Sequence, residues 1–73
     1  MLYTIRLKDI NDNNIEFVGS KKAIINEFNM LKKMDLNEIK SFFGLDQNDT
    51  DIQKIILLDE LGEPIKTFDI SNS

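Results

Sequence analysis

Acidic and amide side chains alternate at Asp9, Asn11 and Asn13, which is the opening spacing of an EF-hand calcium loop, where oxygen ligands come from alternate positions. The remainder of such a loop is missing. Asn14 stands at the glycine position, Ser20 stands where the bidentate Glu belongs, and strand-like segments flank the stretch instead of helices. The segment is therefore expected to be a hairpin turn, in which Asn and Asp tolerate the positive φ that the loop requires. Asp49 and Asp51 spell a DxD and, with Asp46, crowd three carboxylates into one polar stretch. Some metal-dependent transferases hold a nucleotide's magnesium with such a pair, but a nucleotide-binding domain does not fit in 73 residues. Glu38 and Lys40 form an ExK like that of one nuclease class, on a segment that reads as helix and not as strand.

Other routes to catalysis close on composition. The chain contains no histidine, no cysteine and no tryptophan. It thus lacks the usual base near neutral pH, a thiolate nucleophile, and the nitrogen and sulfur ligands of zinc. Ser20 and Ser41 have no imidazole to activate them, and three glycines make no phosphate-cradling loop. Asp59, Glu60 and Glu63 fall in a turn, where water keeps carboxylates ionised and alike instead of driving their pKa values apart. The expectation is a non-enzymatic protein with no cofactor and no metal.

The elements that must position these residues follow from periodicity. Tyr3, Ile5 and Leu7 alternate with Thr4, Arg6 and Lys8, a half-buried strand that places Tyr3 in the core. A second strand over Ile15, Glu16, Phe17 and Val18 pairs with it antiparallel, and Gly19 ends that strand. Ser20 then caps a helix from Lys21, with Ile24, Phe28 and Leu31 at i, i+4 and i+7 and with Ile25 and Met34 widening the stripe. Asp35 and Glu38 have the spacing of a capping box, so a short second helix follows, with Leu36, Ile39 and Phe43 on its inner face and Gly44 as its stop. Residues 46–51 read as a loop. Ile52 to Leu58 reads as a strand, and a turn at Glu60, Leu61 and Gly62 returns through Pro64 into an edge strand from Ile65 to Ile70.

The order is ββααββ: an α+β fold, with a four-stranded, mostly antiparallel sheet and one long and one short helix on one face. A β-grasp wiring is one way to connect it, and the layout is similar to that of ubiquitin-like domains in length and opening. Residues 1–73 are expected to form one small domain with a frayed tail at 71–73. A domain of this size usually gains stability from a disulfide, a metal or a partner. A disulfide is impossible without cysteine and a zinc staple is not expected without His or Cys ligands, which adds weight to association.

Two surfaces are candidates for it. Residues 1–40 carry seven basic and six acidic side chains, whereas 41–73 carry two and seven, so the net charge of −4 is concentrated in the second half. Asp46, Asp49, Asp51, Asp59, Glu60 and Glu63 form the acidic candidate set, placed to imitate phosphates before a nucleic-acid-binding protein. The lysines at 21, 22, 32, 33 and 40 read as a solvated helix face, because a negative net charge and a single arginine argue against direct contact with nucleic acid. Ile55, Ile56, Leu57 and Leu58 form the apolar set, with hydrophobic surface on both faces of one strand and with Val18 and Ile65 as neighbours on the face the helices leave open.

The expected function is a protein-binding module that docks on a larger protein, in its sharpest form an inhibitor of a nucleic-acid-binding surface of the kind mobile elements encode against host defences. The alternative is an assembly module whose apolar sheet face makes a homo-oligomer. No apolar run reaches the 18 residues of a membrane span and no signal segment opens the chain, so a cytoplasmic address is expected, with no membrane partner.

Overall fold

The computed structural model describes residues 1–44 and 52–70. Its element order is β1 (Leu2–Asp9), β2 (Asn14–Ser20), α1 (Lys21–Leu31), α2 (Leu36–Phe43), β3 (Ile52–Leu58) and β4 (Pro64–Asp69). The four strands form one sheet in the order β2-β1-β3-β4, and each neighbouring pair is antiparallel. This is the expected α+β layout. A β-grasp wiring sets the last strand against the first; here β3 lies against β1 and β4 takes the edge. Because β2 and β3 are both antiparallel to β1, they run parallel to each other, and α1 and α2 form a crossover that spans the intervening strand.

The alternation in β1 works as the sequence implies. Tyr3, Ile5 and Leu7 are buried, while Thr4, Arg6 and Lys8 face the other way. Ile24, Phe28 and Leu31 of α1 close over them, and α1 packs across β1, β2 and β3. Ile39 of α2 is fully buried, with Leu36 and Phe43 packed against the same core. The Phe43 ring stacks on Phe17 of β2 at 4.4 Å between centroids, which ties α2 to the β2 side of the sheet. Each fully buried Ile, Leu or Phe side chain contributes roughly 1.5–3 kcal/mol of transfer free energy.

The helix boundaries are set by local hydrogen bonds. Ser20 Oγ accepts from the Ala23 N–H at 3.3 Å and so starts α1. Asp35 Oδ1 accepts from the Glu38 N–H at 2.9 Å while Glu38 Oε1 accepts from the Asp35 N–H at 3.2 Å, a reciprocal box that starts α2. Gly44, at φ 69°, ends α2 in the left-handed conformation that a side chain disfavours.

The two hairpins use the same turn. Asp9 Oδ1 accepts the N–H groups of Asn11 and Asn13 at 2.9 and 2.8 Å, and Asp12 takes φ 69°. Asp59 Oδ1 likewise accepts from Leu61 and Glu63, both at 2.9 Å, and Gly62 takes φ 80°. In each, the first Asp also donates its N–H to the carbonyl four residues on, at 3.0 and 2.9 Å. These are three-residue loops closed by a left-handed residue. The correspondence runs into the strands: Ile5 and Leu7 relate to Ile55 and Leu57 by a shift of fifty positions. Ile5 pairs with Leu57 and Leu7 with Ile55, so the sheet has a local twofold axis through the Arg6–Ile56 pair.

Candidate interaction surface

The register of the four strands composes the sheet face opposite the helices row by row. One row runs Val18, Thr4, Leu58, Pro64; the next runs Glu16, Arg6, Ile56, Thr67; a third runs Asn14, Lys8, Lys54, Asp69. Leu2 lies beyond the first row, opposite Ser20. Ile65 falls in the register shift between β3 and β4, beside Leu58. The face is therefore polarised along the strands, apolar at one end and charged at the other.

At the charged end two ion pairs form. Arg6 Nε lies 2.6 Å from Glu16 Oε2 across β1 and β2, and Lys8 Nζ lies 2.8 Å from Asp12 Oδ1. The Asp9 carboxyl is held below its ordinary range, chiefly by the Asn13 N–H; desolvation opposes this, and the Asn13 side chain and the Asn11 N–H add to the lowering. Asp9, Asn11 and Asn13 thus make the turn expected of them, and the Asp9 oxygens are spent on it.

At the apolar end no comparable ion pair covers the surface among the described residues. Leu2 and Val18 are each 61% exposed and Ile65 is 46% exposed. The β3–β4 turn emerges at this same end, since Leu58 pairs with Thr4 near the start of β1. It carries Leu61 at its tip, 79% exposed, together with exposed Glu60 and Glu63. An apolar centre with a polar rim is the anatomy of a docking surface.

The predicted residues divide accordingly. Of the apolar set, Ile55 and Leu57 face the helices and are buried in the core, which removes them from any surface. Ile56 is half-buried on the open face, and Leu58 is also on that face, covered to 3% exposure by its neighbours and outside the helix-side core cluster. Of the acidic set, Asp59 holds the turn while Glu60 and Glu63 remain exposed; Asp46, Asp49 and Asp51 lie outside the described residues, as does the tail at 71–73. The segment that contains those three aspartates enters β3 at Ile52, the strand end opposite the acidic turn.

Lys21, Lys22, Lys32 and Lys33 are exposed, as expected of a solvated helix face, whereas Lys40 is not. Lys40 is buried at 4% exposure, since it follows Ile39 on the inward side of α2, and this corrects its place among the exposed lysines. Lys21 Nζ sits 5.8 Å from the Tyr3 ring centroid and Lys32 Nζ 5.6 Å from that of Phe28, both with stems laid over core aromatics. Glu38 and Lys40 are likewise helical, the former engaged in a cap and the latter buried.

A second opening lies on the outer side of α2, lined by Met34, Asn37, Glu38, Ser41 and Phe42. Its one ionisable group is the capping Glu38. Among the described residues, no group of three Asp, Glu, His or Cys side chains is placed to hold a metal ion, and no helix is long and apolar enough to cross a membrane.

Val18 and Ile65 lie on the open face as expected; periodicity alone missed that they share one end of it with Leu58. It also missed the repeated turn, whose signal is visible once sought: Leu7-Lys8-Asp9-Ile10-Asn11-Asp12 and Leu57-Leu58-Asp59-Glu60-Leu61-Gly62 share a Leu-x-Asp ahead of a left-handed Asp or Gly. The chain matches no family model, and neither a curated protein nor a solved structure is significantly similar to it.

Proposed function

We propose that this chain is a non-enzymatic interaction module that docks on a larger protein through the apolar end of its open sheet face, with the acidic β3–β4 turn steering the encounter. The observation that carries this reading is the position of Glu60 and Glu63 on the turn that emerges beside exposed Leu2, Val18 and Ile65. Apolar contact supplies affinity at the centre of such a surface, and rim charge supplies approach rate and selection of a basic partner. In its sharpest form the partner surface is one that binds nucleic acid, where Lys and Arg await phosphates and carboxylates compete for them. A net charge of −4 opposes direct binding to nucleic acid and suits a basic protein.

The test is capture of partner from native lysate by the tagged protein at low and high salt, repeated with two variants. Val18→Asp is expected to weaken capture at least tenfold while leaving stability within about 0.5 kcal/mol, as for exposed substitutions generally. Glu60→Gln with Glu63→Gln is expected to weaken it chiefly at low salt. Capture that is indifferent to both variants removes this surface from the account, and retention of the partner at high salt removes the electrostatic part.

A further inference from the structure

We propose that β4 is a strand-pairing site for a second copy of this chain, joining two sheets antiparallel, β4 to β4, into one of eight strands. The starting observation is that β4 is the least covered strand of the sheet. Five of its six residues are exposed and only Phe68 is half-buried, whereas in β2, the other edge, the positions facing the helices are half-buried throughout. α1 packs across β1, β2 and β3, which leaves β4 beyond the reach of its main contacts. A largely exposed strand whose outer edge pairs with no other strand among the described residues is a template for another strand.

Hydrogen-bond phase identifies which residues would pair. The Ile70 N–H donates to the Gln53 carbonyl at 2.8 Å. With Ile55 opposite Phe68 and Leu57 opposite Lys66, alternate residues of β4 turn their backbone groups toward β3. Thr67 and Asp69 therefore turn theirs outward.

Charge then selects the occupant and its register. With the twofold axis at Thr67, Thr67 lies opposite Thr67 of the second copy, Lys66 lies opposite Phe68, and Ile65 lies opposite Asp69. No like charges meet, and each ammonium has an aromatic neighbour across the seam. A shift of the seam toward Pro64 sets Lys66 against Lys66 and Glu63 against Asp69, and a shift the other way leaves Ile65 without a partner on the strand. Lys66, which would blunt this edge toward a lysine-bearing strand, thus disfavours the adjacent register in which it would face its own copy. The axis is normal to the sheet, so both open faces lie on the same side of the dimer and both docking patches stay exposed. This proposal does not rest on the docking reading.

Sedimentation of the native chain over a wide concentration range is expected to show a monomer–dimer equilibrium that Thr67→Pro abolishes. Proline there removes only an outward N–H, so far-UV circular dichroism should be retained. Register is read with single cysteines in a chain that has none of its own. Thr67→Cys is expected to be joined to its copy by a short bifunctional thiol reagent, because directly opposed residues lie about 5.5 Å apart at Cα. Ile65→Cys is not, because its copy is roughly 14 Å away in this register. A monomer at every concentration overturns pairing with a second copy and would leave the edge to a strand of another protein. A dimer that persists in Thr67→Pro, or that links through Ile65→Cys alone, also overturns it.

Discussion

Ile55 and Ile56 are the same residue at consecutive positions of one strand, so replacing each by valine tests the assignment of sheet faces without changing strand propensity. Ile55 is fully buried between β1, β4 and the helices, with Leu7 opposite it, whereas Ile56 is half-buried on the open face opposite Arg6. Loss of a buried methylene at Ile55 should cost about 0.5–1.5 kcal/mol. At Ile56 most of that space is refilled by water, and the cost should stay below about 0.5 kcal/mol. The whole domain has roughly 4–11 kcal/mol to lose at 0.05–0.15 kcal/mol per residue, so both variants fold. Urea unfolding followed by far-UV circular dichroism suits a chain without tryptophan. With a slope of about 1 kcal/mol/M for a protein this small, Ile55→Val should lower the midpoint by about 0.5–1.5 M and Ile56→Val by clearly less. A shift for Ile56→Val equal to or larger than that for Ile55→Val would refute the assignment of faces and, with it, the position of the docking patch.

Two further outcomes follow from the turns and caps. Because the folded-state pKa of Asp9 is lowered, its ionised form contributes stability above the unfolded value of about 3.9, and that contribution is lost as pH falls through the folded pKa. The difference in urea midpoint between the parent and Asp9→Asn, which keeps an acceptor oxygen but cannot titrate, should be constant above about pH 5 and change as the pH falls toward 2; a difference that stays flat throughout would show that Asp9 is not linked to folding. Asp35→Ala removes one half of the capping box of α2 and should cost about 1 kcal/mol, read as a fall in Tm of about 4–8 °C, whereas an unchanged Tm would mean that packing of Ile39 and Phe43 alone holds the helix.

Local interactions made much of this fold legible in the amino-acid order. The period-2 pattern of Tyr3 to Lys8, the i, i+4, i+7 stripe of Ile24, Phe28 and Leu31, the Asp35–Glu38 box and the Gly44 stop depend on residues a few positions apart. Each is where local chemistry requires it. Boundaries moved by only a residue or two: β1 runs from Leu2 to Asp9, β2 extends to Ser20, which is also the cap of α1, and β4 begins at Pro64. The absence of histidine and cysteine set limits on chemistry that no tertiary arrangement could lift.

What only the tertiary structure decided is non-local. Four apolar residues in a row, Ile55 to Leu58, carry no record of which face is covered; the pairing of β3 with β1 assigns Ile55 and Leu57 to the helices and Ile56 and Leu58 to the open side. Lys40 looks like any helical lysine until the docking of α2 turns it inward. Val18 and Ile65 are 47 positions apart and come to the same end of the open face as Leu58 only because β1 and β3 occupy the centre of the sheet. Strand order is chosen by burial summed over the whole chain, a quantity with no signature at any one position, and it is strand order that turns scattered apolar side chains into a surface.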